Sequence, residues 1–95
     1  MTLTNFEVFR QADIDGTVCV KAYDGDIRVI ANIARNSMDD YFLPNNLDQV
    51  GYADLIRENL LFISDIMNVQ YELGQSRVEI RYGSEIRVMD LTLSR

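Results

Sequence analysis

Two runs rich in apolar and β-branched residues, one on each side of Asp24-Gly25, constrain the fold of this chain more than any other feature. The runs cover residues 17–23 and 26–33, and Asp-Gly is typical of a two-residue type I′ turn because both positions need a positive φ. This turn pairs Ala22 with Ile27, Val20 with Val29 and Val18 with Ala31. The sequence therefore predicts a β-hairpin with these residues buried on one face. The other face is predicted to be mixed and mostly solvated: Cys19, Lys21, Tyr23, Asp26, Arg28 and Ile30.

Helical spacing follows the hairpin. Met38, Tyr41 and Phe42 lie three and four positions apart, as one face of a helix requires. This predicts a short helix over about residues 36–43, with Asn36 or Ser37 as its N-cap and Asp39 and Asp40 in its first turn, complementing the helix dipole.

A second, longer helix is predicted from Asp48 or Gly51 to Leu73, with Gly74 as the residue that ends it. Its apolar residues form one stripe, which comprises Ile56, Leu60, Ile63, Met67 and Tyr71. Leu61 is the exception, since it lies in the middle of the polar face.

The last segment is predicted to form two more strands, over residues 77–82 and 85–93. A two-residue Gly83-Ser84 loop would set Ile80 opposite Arg87. We therefore expect a three-residue loop, residues 83–85, or a bulge at Gly83. The longer loop pairs Tyr82 with Ile86 and Ile80 with Val88, and it gathers a solvent-facing charged patch of Arg77, Glu79, Arg81 and Arg87.

The order of these elements predicts the fold class. Residues 1–13 have no clear periodicity apart from a short leading strand that would contain Phe6, Val8 and Phe9. The remaining order is ββααββ, which predicts an α+β fold: an antiparallel sheet of about four strands with two helices packed on one face. At 95 residues the chain is expected to form a single domain, residues 1–95.

Charge limits the classes of ligand. The formal net charge is −6, whereas phosphate backbones and anionic membranes are bound by clustered Lys and Arg. We therefore expect no direct nucleic-acid partner and no membrane partner. The chain has no apolar run of membrane-spanning length, no signal-peptide pattern in residues 1–10 and a single cysteine, Cys19, so a cytoplasmic location is expected.

Short acidic motifs suggest chemistry that the rest of the sequence does not support. Residues 13–18, Asp-Ile-Asp-Gly-Thr-Val, match the opening motif of haloacid-dehalogenase-type phosphatases, but 95 residues are too few for that fold. We interpret the motif as a polar turn. Asp13, Asp15, Asp24 and Asp26 lack the ordered spacing of a calcium loop. The chain has no histidine, the commonest general base and zinc ligand. We predict no catalytic, cofactor-binding or metal-binding residues, and no enzyme.

Three segments together resemble a known family. They are residues 33–42 directly after a strand, the helix that ends at residues 71–74, and the closing strand at residues 81–83. They are similar to parts of the domain-of-unknown-function family 1488, short proteobacterial proteins, over roughly residues 17–90. The resemblance implies a compact α+β fold in a bacterial cytoplasm. It implies no activity and no functional residue, because none is established for the family.

Three functions stay open at this point. The first is a non-catalytic protein-binding or adaptor module that forms a homodimer, with Leu61, Arg77, Arg81 and Arg87 as interface residues. The second is an acidic decoy that mimics nucleic acid and inhibits a nucleic-acid-binding protein. The third is a small-molecule-binding domain with a pocket between sheet and helices, to which the five tyrosines would supply polar groups: Tyr23, Tyr41, Tyr52, Tyr71 and Tyr82.

Overall fold

The computed structural model describes residues 2–10, 17–42 and 49–93, and it has the predicted α+β class. Asp13 and Asp15 of the acidic motifs, and the Asp48 start of the long helix, lie outside these described residues. The elements, in chain order, are β1 (Thr4–Arg10), β2 (Val18–Asp24), β3 (Ile27–Ile33), α1 (Arg35–Phe42), α2 (Gln49–Glu58), α3 (Leu60–Glu72), β4 (Arg77–Arg81) and β5 (Ser84–Asp90).

The sheet differs from the predicted one in strand number and direction. The described strands form one five-stranded mixed sheet in the order β1-β2-β3-β5-β4, with β3 and β5 parallel. The α+β class is confirmed, whereas the finer prediction of about four antiparallel strands with two helices is wrong. The predicted leading strand joins the sheet as β1, β5 runs parallel to β3, and α2 and α3 are separate helices. β5 takes the inner position because both of its faces carry apolar residues, Ile86 and Val88 on one and Met89 on the other.

The β2–β3 hairpin has the predicted faces but not the predicted pairs. Ala22 lies opposite Val29, and the two-residue turn is Gly25-Asp26 rather than Asp24-Gly25. Only Gly25 of this pair has a positive φ, 59°, which fits a type II′ turn instead of type I′. The turn lies one residue later than predicted, so each residue's partner shifts by two positions. Because a shift of two preserves the alternation, each side chain stays on its predicted face.

The main core lies between the helices and the face of the sheet that was predicted to be buried. Val18, Val20, Ala22, Val29 and Ala31 are all fully buried there. The short helix contributes Met38 to this core. The other helices contribute residues that lie mainly on the predicted stripe: Tyr52, Ala53, Ile56, Ile63 and Met67. None of the described helices is long and apolar enough to cross a membrane.

The predicted long helix is broken at Asn59. The residue has φ −111° and ψ 24°, its side-chain amide donates to the carbonyl of Leu55 and its own N–H bonds to the carbonyl of Ile56. Asn competes for backbone hydrogen bonds in this way and is a weak helix former. The break divides the predicted helix into α2 and α3, which share the predicted apolar stripe.

The end of α3 has the predicted Gly74 stop. Gly74 has a φ of 77°, its N–H bonds to the carbonyl of Tyr71, and the N–H of Gln75 bonds to the carbonyl of Gln70. These two bonds are those of a Schellman motif. The short helix α1 begins at Arg35, one residue before the predicted caps, so Asp39 lies beyond its first turn.

The opposite face of the hairpin is mixed, as predicted, but its centre is buried. A second apolar cluster, consisting of Cys19, Ile30, Ile86 and Val88 with Phe9 packed against it, is buried there. The side chains that share this face on β4 are Arg77, Glu79 and Arg81, which pair with Val88, Ile86 and Ser84. Long Arg stems cover apolar surface while their charged ends stay in water, so the prediction failed at the centre of this face.

We expect replacement of Ile63 by alanine to lower the free energy of unfolding by about 2–5 kcal/mol, because it leaves a cavity in the main core. Leu61→Ala, on the same helix but 86% exposed, is the matched control, with a change within about 0.5 kcal/mol. Urea unfolding of both variants measures the difference. Equal losses would contradict the placement of the core stripe.

Candidate functional site

The turn of the β4–β5 hairpin has two residues, Tyr82 and Gly83, and not the predicted three. Arg81 pairs directly with Ser84, and both turn residues have positive φ, 52° at Tyr82 and 79° at Gly83. This is the pattern of a type I′ turn. The prediction failed because the alternation of Val78, Ile80 and Tyr82 extends the strand to Tyr82, whereas Tyr82 adopts a positive φ that bulky residues rarely take.

The shorter turn decides which side chains share each face of β4. Val78 and Ile80 lie opposite Arg87 and Glu85, on the face of the sheet that carries the helices. Arg77, Glu79 and Arg81 lie on the other face. The predicted charged patch therefore keeps these three residues, whereas Arg87 is on the opposite side of the sheet.

The charged face of β4 is a connected network. Arg77 Nε contacts Glu79 Oε2 at 3.1 Å, and Arg81 Nη2 contacts Glu79 Oε1 at 3.0 Å. Arg77 Nη1 also lies 3.2 Å from Asp90 Oδ2. The hydrogen bond from Arg81, joined by that from Arg77, lowers the pKa of Glu79. Two guanidinium groups and two carboxylates thus balance one another on this face.

The other face of β4 exposes apolar side chains. Ile80 is 68% exposed, Val78 is 46% exposed and Tyr82 is fully exposed. All residues from 80 to 85 are exposed, so no described helix covers the hairpin tip. The described chain has only three other large exposed apolar residues, Leu61, Val69 and Leu73, all on or next to α3.

We name the outer side of β4 the β4 edge (Arg77–Arg81). It has backbone groups with which no described residue pairs. A β-turn joins its first and last residues, here Arg81 and Ser84, by a hydrogen bond. Because antiparallel pairs alternate between hydrogen-bonded and non-hydrogen-bonded, Val78 and Ile80 direct their N–H and C=O groups away from β5. No described strand pairs with this side of β4.

The sheet's other edge strand, β1, is irregular. Its pairing with β2 shifts register between Thr4 and Glu7, and Asn5 in this stretch has a φ of 57°. Bulges of this kind are a common protection of edge strands against pairing with another chain. β4, by contrast, pairs with β5 without a shift from Arg77 to Arg81, so it offers the straighter template.

The four predicted interface residues lie on three different elements. Leu61 is 86% exposed in the first turn of α3, where it lines a shallow groove with Arg57 and Glu58. Arg87 is half-buried on β5, and its Nε has no hydrogen-bond partner among the described residues. The structure therefore brings together Arg77 and Arg81 and leaves the other two apart from them. Val78 and Ile80 were missed as site residues, because the three-residue loop placed them in the core.

A groove lies at the end of β3, beside α1 and the chain after β5. Thr17, Asn32, Ser37, Asp40 and Thr92 are among its lining residues, and no tyrosine is among the described ones. Two of the tyrosines are engaged elsewhere: the hydroxyl of Tyr52 donates to Asp39 at 2.5 Å, and that of Tyr71 donates to Asp24 at 2.6 Å. Both contacts connect elements of the fold, and neither tyrosine lines this groove.

Acidic side chains are exposed along the outer side of α2 and α3, at Asp54, Glu58, Asp65 and Glu72. Arg57 contacts Asp54 at 2.7 Å, and Leu61 lies between Glu58 and Asp65 in sequence. The row thus mixes a salt bridge and an apolar residue with its carboxylates. Within the described ranges, no three carboxylate or thiol side chains group closely enough to hold a metal ion.

No protein-family model, curated protein or solved structure matches this chain. The resemblance to the domain-of-unknown-function family 1488 therefore stays a prediction, as do the cytoplasmic location and the bacterial origin.

We expect the thiol of Cys19 to react with a disulfide reagent only when the chain unfolds. Burial raises its pKa from 9.0 to about 11, an effect that the positive charge of Arg81 partly opposes. Below pH 9 the folded chain then has roughly 100-fold less thiolate than the unfolded chain. Because the folded pKa is the higher one, the thiol's contribution to stability is complete below pH 9 and is lost as the pH rises through about 11.

The measurement is the rate of Cys19 modification against pH, with and without denaturant, and Cys19→Ser provides the blank. Equal rates in the folded and unfolded chains would show that the second apolar cluster does not cover the thiol.

Proposed function

We propose that this chain is a non-catalytic protein-binding or adaptor module, and that it binds its partner by strand addition at the β4 edge. The observation that carries the proposal is that one strand combines outward backbone groups, with which no described strand pairs, and exposed apolar side chains. Strand addition uses both, since main-chain hydrogen bonds supply affinity and alternate side chains supply specificity.

The apolar side chains support binding on this edge rather than elsewhere. Burial of a large aliphatic side chain contributes about 1.5–3 kcal/mol when it is complete, and Ile80 has most of that area still exposed. Val78 and Tyr82 extend the same surface. An exposed strand of this kind is a liability unless a partner covers it.

The charge pattern supports a polypeptide partner too. The formal charges on the opposite face of the strand sum to zero over four residues: Arg77, Glu79, Arg81 and Asp90. A neighbouring strand therefore meets no strong field of one sign, although the net charge of the chain is −6. The acidic decoy ranks below this proposal, because its row of carboxylates on α2 and α3 is interrupted by Arg57 and Leu61.

We expect Ile80→Lys to abolish partner binding and to leave the fold intact. The substitution places a charge on the open edge, which is how natural edge strands avoid pairing. Leu61→Lys is the matched control, because it changes an equally apolar and even more exposed side chain on α3. The measurement is quantitative affinity capture from cell lysate with wild type and both variants, with circular dichroism as the test of folding.

A protein that is captured by wild type and Leu61→Lys but lost from Ile80→Lys supports the β4 edge. Loss from Leu61→Lys alone would move the interface to the outer side of α3. Equal capture by all three forms would overturn the proposal.

A further inference from the structure

The sequence of β4 reads almost the same in both directions. It is Arg-Val-Glu-Ile-Arg, with Glu79 at its centre, an aliphatic residue on each side and an arginine at each end. An antiparallel pair of identical strands is related by a two-fold axis. Each residue before the axis therefore lies opposite the residue that is equally far beyond the axis in the second copy. A strand with this symmetry of residue type is complementary to itself.

The backbone permits this pairing around Glu79. The outward N–H and C=O groups belong to Val78 and Ile80, as the alternation from the Arg81–Ser84 turn requires. A two-fold axis at Glu79 places Val78 of each copy opposite Ile80 of the other copy, which gives two such pairs. Each of these two pairs exchanges two hydrogen bonds, so all four outward groups of one strand find partners.

The side chains agree with the same register. On one face Val78 and Ile80 of both copies form four adjacent aliphatic residues, of the kind that stabilise cross-strand pairs. The helices do not cover this part of the face, since Val78 and Ile80 remain exposed. Two helix layers on the same side of a joined sheet thus leave these residues room to meet.

The charged faces of the two paired strands carry no net charge. The two central Glu79 carboxylates lie opposite each other, but each is already bonded to Arg77 and Arg81 of its own chain. With both Asp90 residues, which bond to Arg77, the joined face holds four guanidinium groups and four carboxylates. Like charges directly opposite cost stability when they are isolated, and here each has an opposite charge beside it.

We infer that the partner at the β4 edge is a second copy of this chain, paired antiparallel about a two-fold axis at Glu79 to give one continuous ten-stranded sheet. The inference rests on the proposed function, because it names the occupant of the same edge.

The register is tested with Glu79→Cys in a Cys19→Ser background. Directly opposite residues of a non-hydrogen-bonded pair have Cβ atoms about 4.5–5.5 Å apart, which is near the separation that a disulfide needs. Mild oxidation should convert the purified chain to a covalent dimer. Asp65→Cys in the same background, exposed on α3, should stay uncrosslinked at the same protein concentration.

The assembly itself is tested without a new cysteine. Analytical ultracentrifugation of wild type should give twice the chain mass of 10.9 kDa, and Ile80→Lys should return it to the single-chain mass while Leu61→Lys does not. A monomeric wild type with no Glu79→Cys cross-link would overturn the second copy as partner. If Ile80→Lys still lost a captured protein in that case, the β4 edge would stand with a different occupant. A dimer that Ile80→Lys leaves intact, and Leu61→Lys breaks, would overturn both.

Discussion

The parallel pairing of β3 with β5 decides where every other part of this molecule can lie. It draws β5 into the sheet interior, where Ile86, Val88 and Met89 are buried on its two faces. β4, which is joined to β5 by a two-residue turn, is then left outside as an edge strand. The helices α1 to α3 fill the connection between β3 and β4 and cover the main core. The exposed edge therefore follows from the topology and not from a local excess of apolar residues.

The Tyr82-Gly83 turn then fixes how that edge is presented. A three-residue loop would have moved Ile80 to the face of Ile86 and Val88, within the second apolar cluster. The two-residue turn instead sends Arg77, Glu79 and Arg81 over that cluster and turns Val78 and Ile80 toward the helix side, beyond the reach of the helices. An L-residue in the left-handed region costs roughly 1–2 kcal/mol, so Tyr82 holds its φ of 52° against an intrinsic preference.

Local patterns predicted the parts of the fold that local physics determines. The buried face of the β2–β3 hairpin, the α3 stripe and the Gly74 stop follow from alternation, helical spacing and the conformational freedom of glycine. The β3–β5 pairing joins strands more than fifty residues apart, and no short-range pattern encodes it. The helix break at Asn59 depends on one side-chain hydrogen bond to Leu55. Arg77 and Arg81 were placed at the candidate site from charge alone, whereas Val78 and Ile80 were missed because their face depends on a single turn residue.

The outward backbone groups of β4 are expected to form hydrogen bonds with another chain. Residue-resolved amide hydrogen exchange tests it most directly, because the same strand contains both kinds of N–H. In dilute protein the amides of Val78 and Ile80 should exchange quickly while those of Glu79 and Arg81 are protected by β5. Raising the protein concentration should slow Val78 and Ile80 and leave the other two unchanged. Protection of all four amides in the dilute chain, or fast exchange of Val78 and Ile80 at every concentration with no added partner able to slow it, would contradict the account.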